Sequence, residues 1–250
     1  MTGAPAAAAR VLDHVRLHLS YAMLGAGCLA WNLAALLLLP VVPAPRRSGL
    51  GRRAAMLGFR LYLGILQVIG AARFDLRAID SLRGRGAMVI APNHPGLLDA
   101  LMVISRLPDL VCVQKASLQR SPLWGAGSRL AGYIRNDWFV GSVRMAVEEL
   151  HTGHPLLLFP EGTRNAGAAL GEFHGAVGYV AYRARVPIQT LIIEQDTRFL
   201  AKGWPLLRCP RQPMHFRVRL GRCFDPPRDP AAFVGELREY FLAELARPAP

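Results

Sequence analysis

From Leu19 to Val42 the chain reads LSYAMLGAGCLAWNLAALLLLPVV, 24 residues without a charged side chain. At the helical rise of about 1.5 Å per residue, such a run exceeds the roughly 30 Å of a bilayer's hydrocarbon core. A segment of this kind is confined to a large protein interior or to lipid. It is too long for the apolar core of a signal peptide, and PAPRRSGLGRR follows where a cleavage site would need small residues, although LGAGCLA inside it loosely mimics a lipoprotein box. The expectation is an uncleaved membrane segment.

A second apolar run, Ala54 to Ala72 (AAMLGFRLYLGILQVIGAA), is interrupted by Arg60 and Gln67. Both would be costly near a bilayer centre, yet a spacing of seven puts them on one helical face, as a helix lying at the interface requires. The two runs predict a membrane-docking helical hairpin over residues 1–73, ahead of a second unit over 74–250. Arg46, Arg47, Arg52 and Arg53 lie in the link, and Arg10 and Arg16 precede the first run. Two full spans would violate the positive-inside rule at one end, whereas a hairpin dipping into the cytoplasmic leaflet keeps every arginine beside anionic headgroups. That predicts the cytoplasmic face of the cell inner membrane. Two buried helices of a soluble bundle are the alternative, and the length of the first run disfavours it.

Composition agrees with a globular body carrying a membrane-contacting part. The chain is 52% hydrophobic and 19% charged, with a mean hydropathy of +0.23. This is apolar for a soluble protein and too charged for a polytopic bundle. The net charge of +13 is almost all arginine, since Lys115 and Lys202 are the two lysines. Such a balance suits nucleic acid, an anionic lipid surface or a phosphorylated substrate. Nucleic acid is disfavoured, because the arginines are spread along the chain, aromatics are 8% of residues and no binding motif is present. Cys28, Cys112, Cys209 and Cys223 form no CxxC pair and read as reduced, mostly buried cysteines, with a disulfide or zinc site as the disfavoured alternative.

Beyond Arg73 strand and helix patterns alternate. Short apolar runs at AMVIAPN, LVCVQKA, HPLLLFP and IQTLII read as buried parallel strands, and MHFRVRLG alternates as a half-exposed strand should. Between and after them ALMVISRL, SPLWGAGSRLAGYI, SVRMAVEELHTG, GAVGYVAYRARVPI and AAFVGELREYFLAEL read as helices. The expected fold class is α/β, a mostly parallel central sheet flanked by helices and preceded by the hairpin. Ligand sites in such folds sit in the loops at strand C-termini.

Two chemical-looking stretches fall at such ends. In NHPGLLDA, His94 and Asp99 are five apart, which on a helix would leave them about 140° out of register. They can meet only if a turn occupies part of the interval. Asn93 is placed to cap the following helix, with Pro95 in its first turn. A carboxylate on one imidazole nitrogen raises the basicity of the other, making a general base. No GxSxG nucleophile accompanies the pair, so direct attack by a substrate hydroxyl is the natural chemistry. The spacing alone favours a capping histidine and an unrelated surface aspartate, and the histidines form no HxxxH metal pattern. In FPEGTRN, Gly162 allows close backbone approach, Arg164 offers a planar fork suited to phosphate, and Glu161 could accept from a polyol hydroxyl or hold that arginine. An ordinary Glu and Arg surface turn would look the same in isolation.

Together, His94 to Asp99 and Glu161 to Arg164 form an HxxxxD box followed by an EGTR box. With the hairpin ahead of them, the chain resembles the glycerolipid acyltransferases, the lysophospholipid acyltransferases that include 1-acylglycerol-3-phosphate acyltransferases. The resemblance covers about Ala87 to Ile193. It implies His94 as base, Asp99 as its orienting partner, and Glu161, Gly162, Thr163 and Arg164 in binding the acceptor phosphate. It also implies acyl transfer from acyl carrier protein or coenzyme A thioester to a lysophospholipid, on a phospholipid membrane and without a bound cofactor or metal. The family's middle box is matched loosely by GYIRND, where Arg135 would be a second phosphate ligand, and its last box survives as VPIQTL with Thr190 in place of a common proline. Those departures, with Gly96 and Asn165 beside the main boxes, leave open an acceptor other than lysophosphatidate, such as an amino-acid lipid. A non-catalytic membrane adaptor would be expected to lose His94, Asp99 or Arg164, and all three are present.

Overall fold

The computed structural model describes residues 3–164 and 170–247, with side chains from residue 10 onward; Asn165 lies outside the described residues. Two long helices lead, α1 (Gly3–Val41) and α2 (Ala44–Val68). They are followed by β1 (Ala72–Asp75), α3 (Arg77–Asp80), β2 (Val89–Pro92), α4 (Leu98–Ile104), β3 (Val111–Gln114), α5 (Ala116–Gln119), α6 (Gly125–Leu130) and β4 (Ile134–Arg135). The chain continues through α7 (Phe139–His151), β5 (Leu156–Leu157), α8 (Ala176–Ala184), β6 (Ile188–Gln195), β7 (Met214–Phe224) and α9 (Pro230–Leu245).

One sheet of seven strands runs in the order β1-β7-β6-β2-β5-β3-β4. Every pairing is parallel except β6 with β7. The expected α/β class and mostly parallel sheet are therefore present. β2 is buried at all four positions, Val89–Pro92, as expected of a parallel strand covered on both faces. One layer packs α2 and α4 on the sheet through Phe59, Leu63, Met102 and Val103. The other packs α7, α8 and α9 through Leu150, Val180 and Phe241. The short elements β1, α3, α5 and β4 were not evident from the pattern. The stretch ending in GYI is a six-residue helix leading into the edge strand β4, and β1 begins at Ala72, straddling the boundary expected between 73 and 74.

The hairpin differs from expectation in its link. α2 starts at Ala44, so Arg46, Arg47, Arg52 and Arg53 lie within a helix and not in a connecting loop. Arg52 is 1% exposed, which corrects the placement of every arginine beside headgroups. Its Nε donates to the Ala131 carbonyl at 3.0 Å and its guanidinium lies 2.9 Å from the Glu149 carboxylate. Gly51, one residue earlier, lets α2 approach closely, since a Cβ there would collide with the backbone of Leu130 and Ala131. α2 is thus part of the folded body.

α1 is held differently. Asn32, the polar side chain inside the uncharged run, accepts the N–H of Ala126 at 2.6 Å and of Gly127 at 3.3 Å, and donates to the Pro122 carbonyl at 2.6 Å. It caps the first turn of α6, where backbone donors have no partner within the helix. Most of α1 remains open: the most apolar 18-residue window of Arg10–Val41 has mean hydropathy 1.9, and only 11% of it is buried. Leu33, Leu37 and Val41 are 54%, 74% and 77% exposed. A helix that apolar and that exposed is not a core helix of this body.

Candidate active site

The His94 and Asp99 interval is spanned by a turn. β2 ends at Pro92 and α4 does not begin until Leu98, leaving residues 93–97 outside regular structure. This places His94 Nδ1 2.8 Å from Asp99 Oδ2, which also accepts the Gly96 N–H at 2.7 Å. Asp99 is wholly buried, and its Oδ1 has no hydrogen-bond partner among the described residues. Burial pushes its carboxyl above the usual range, against the opposing effect of the His94 and Gly96 hydrogen bonds. The His94 side chain is 16% exposed, and its ring stacks on Phe159 at a centroid distance of 4.0 Å.

Asn93 does not cap α4, as the sequence suggested, and Pro95 lies before that helix. The Asn93 amide donates to the Ile193 carbonyl at 3.0 Å and its oxygen accepts the Ile193 N–H at 2.7 Å. It continues the pairing of β2 with β6 by one step beyond Pro92, fixing where the chain departs towards His94. α4 has no side-chain cap; Asp99, in its first turn, instead accepts from Gly96 in the preceding turn.

The EGTR turn comes from the segment after β5, the strand beside β2. Glu161 is 2% exposed: Oε1 accepts the His94 N–H at 2.7 Å and Oε2 accepts the Gly171 N–H at 2.7 Å. Burial raises this carboxyl too, offset in part by those two bonds. Both oxygens are thus engaged by backbone and neither is committed to Arg164, unlike the role the sequence suggested. Gly162 adopts φ +60°, a left-handed conformation that glycine accommodates at least cost, with His174 close on its open side. Arg164 donates to the Leu200 carbonyl at 2.8 Å, and Leu200 itself has φ 58°.

Thr163 lies 3.4 Å from Lys115 Nζ, which brings a second cation to this turn. Sequence reasoning missed Lys115, although one of two lysines placed directly after a strand was a usable signal. Phe159 was also missed, as was the β6–β7 connection that supplies the Leu200 carbonyl. Arg135 lies on the edge strand β4, three strand spacings or about 14 Å from β2 and in register with Gln114 of β3, and is paired with Asp137 at 3.2 Å. The assembled group is therefore an imidazole held by a buried carboxylate, with Arg164 and Lys115 on the adjoining turn. Such a group can deprotonate a hydroxyl and hold an anionic group near it.

Residues 73–194 match the family described as Acyltransferase. A lyso-ornithine lipid O-acyltransferase of Pseudomonas aeruginosa is 32% identical over 134 residues, 52% of this chain and 51% of that protein. A 1-acyl-sn-glycerol-3-phosphate acyltransferase of Helicobacter pylori is 30% identical over 118 residues, 43% of this chain and 48% of its own length. The chain thus spans about half the length of these curated relatives. The crystal structure of the 1-acyl-sn-glycerophosphate acyltransferase PlsC from Thermotoga maritima superposes with a TM-score of 0.74 at 15% identity, covering 97% of this chain and 100% of that one. Residues 73–194 thus match the family described as Acyltransferase, and the whole chain shares the fold of the Thermotoga structure.

Proposed function

We propose that the protein is a membrane-bound O-acyltransferase that moves a fatty acyl group from an acyl carrier protein or coenzyme A thioester to the free hydroxyl of a lysophospholipid, with 1-acyl-sn-glycerol-3-phosphate as acceptor. The observation that carries this reading is the 2.8 Å bond from His94 Nδ1 to buried Asp99, beside a turn bearing Arg164 and Lys115. A carboxylate facing Nδ1 fixes the proton on that nitrogen and leaves Nε2 as the base.

In this scheme the acceptor's phosphate rests on Arg164 and Lys115 and its hydroxyl meets His94 Nε2. As the hydroxyl oxygen attacks the thioester carbonyl, its proton passes to Nε2, and Asp99 stabilises the imidazolium. The tetrahedral intermediate then collapses, the C–S bond breaks, and Nε2 returns the proton to the departing thiolate. Products are the ester and the free thiol. Glu161 acts through His94, holding its backbone N–H and so the position of the ring. The base supplies roughly 10² to 10⁴-fold of the acceleration, with the remainder from positioning and stabilisation of charge. The exposed apolar face of α1 docks the enzyme on the cytoplasmic face of the inner membrane, where such acceptors reside.

A second reading concerns the acceptor alone. The Pseudomonas relative is named for a lyso-ornithine lipid, which favours an amino-acid lipid hydroxyl. Both are tested by supplying purified protein with acyl carrier protein or coenzyme A thioesters and each acceptor in turn. Selective product from lysophosphatidate supports the first reading, selective product from lyso-ornithine lipid the second, and no transfer to either refutes the activity.

A further inference from the structure

The 18 residues joining β6 to β7, 196–213, are longer than a turn requires, and apart from the Leu200 carbonyl that holds Arg164 they are not used by the chemistry above. Their tip reads KGWPLLR, and Leu206 and Leu207 are 63% and 75% exposed. Adjacent leucines this open are a cost in water unless another phase receives them. Lys202 and Arg208 flank them, with Arg211 following, all exposed, and no acidic residue occurs from Thr197 to Phe224.

The tip stands on an ordered base. The Trp204 indole packs edge-on to Phe199 at 6.1 Å, donates to the Arg208 carbonyl at 3.2 Å, and carries the Arg208 guanidinium at 4.9 Å from its centroid. The loop is also tied to the apolar helix α1. Gln212 donates to the Asp13 carbonyl at 2.9 Å, and Phe199 stacks on Tyr21 at 6.2 Å. At its root, Leu200 adopts φ 58°, a conformation costly for a residue with a side chain, and its carbonyl accepts from Arg164.

We infer that the β6–β7 connection is a second membrane anchor, whose Leu206 and Leu207 enter the acyl boundary of an anionic bilayer while Lys202, Arg208 and Arg211 lie among its headgroups. Exposed leucines, an interfacial tryptophan and cations without acids are the chemistry that such a surface receives. Because the same loop holds Arg164, the anchor sets the acceptor-binding arginine at the height of the headgroups. The inference rests on the proposed membrane docking, and adds to it a contact site outside the N-terminal hairpin.

The test uses the full chain with vesicles of phosphatidylcholine mixed with phosphatidylglycerol. In wild type, brominated lipids are expected to quench tryptophan emission, and Trp204→Phe to remove a measurable part of that quenching. Leu206→Asp/Leu207→Asp is expected to weaken partition onto these vesicles about tenfold, with turnover of acceptor in detergent micelles within about twofold of wild type. Partition of the double variant equal to wild type, or quenching indifferent to Trp204, overturns the inference while leaving the hairpin in place. Failure of wild type to bind vesicles at all overturns both. If the double variant loses activity in detergent as well, its fold is impaired and the Trp204 quenching in the otherwise unaltered chain decides.

Discussion

The Glu161 carboxylate accepts the backbone N–H of His94 with one oxygen and that of Gly171 with the other, each at 2.7 Å. A residue 67 positions along the chain thus fixes the backbone of the proposed base. Glu161→Ala should leave two inward-facing donors unpaired, costing about 2–6 kcal/mol at roughly 1–3 kcal/mol each. Glu161→Gln retains one acceptor and should lose less. Urea denaturation of both variants checks the order, and equal stabilities would contradict the clamp.

Asp99 makes a prediction in which activity and stability move apart. Burial raises its native pKa, so the folded chain binds this proton more tightly than the unfolded chain does. Its contribution to stability therefore falls as pH rises from the ordinary carboxylate range through the raised native value. Asp99→Asn, which carries no charge to bury, should gain stability relative to wild type across that window. Its turnover should nonetheless drop roughly 10² to 10⁴-fold through loss of the carboxylate that orients His94. Denaturation curves for the two proteins at acid and neutral pH check this, and a pH-independent gap would contradict it.

Arg164 and Lys115 are expected to act on the acceptor more than on the chemistry. Arg164→Ala should raise the acceptor KM about tenfold or more with a smaller change in kcat, and Lys115→Ala should do the same more weakly. Steady-state kinetics with varied acceptor separate the two parameters. An unchanged KM in both variants would remove the phosphate assignment.

Arg52 tests how α2 is held. Its guanidinium is buried between the Ala131 carbonyl and Glu149. Removing it strips a buried carbonyl and a partly buried carboxylate of their partner, so Arg52→Ala should cost about 2–4 kcal/mol, near the lower end for a broken buried pair because Glu149 keeps His154 at 2.9 Å. Arg53, exposed on the same helix, serves as control and should change stability by less than about 0.5 kcal/mol when truncated.

Much of this architecture was legible because its signals are local. Buried parallel strands write themselves as unbroken apolar runs: β2, β3 and β5 lie inside the runs that predicted them, and β6 runs two residues past its own. The alternation of Met214, Phe216 and Val218 gave β7 in the same way. What stayed hidden depends on distant partners. Two residues of β4 cannot show a period, and the burial of Arg52 is decided by residues some 80 to 100 positions away. Asn93 was assigned to the helix after it because capping is a local habit, whereas its partner is Ile193. In the site the chemistry-bearing residues were visible from their types and spacing. The division of labour was not, since a backbone clamp and a ligand contact both call for Glu at position 161.

The central claim is that His94 is the base of an acyl transfer to a lipid hydroxyl. Its most direct measurement incubates purified wild type and His94→Ala in detergent with radiolabelled acyl thioester and lysophosphatidate or lyso-ornithine lipid, and follows the labelled product. The account predicts product from wild type and a loss of roughly 10²-fold or more in the variant, with its thermal unfolding close to that of wild type. Transfer by His94→Ala at near wild-type rate would contradict the mechanism, and its absence from wild type with both acceptors would contradict the function.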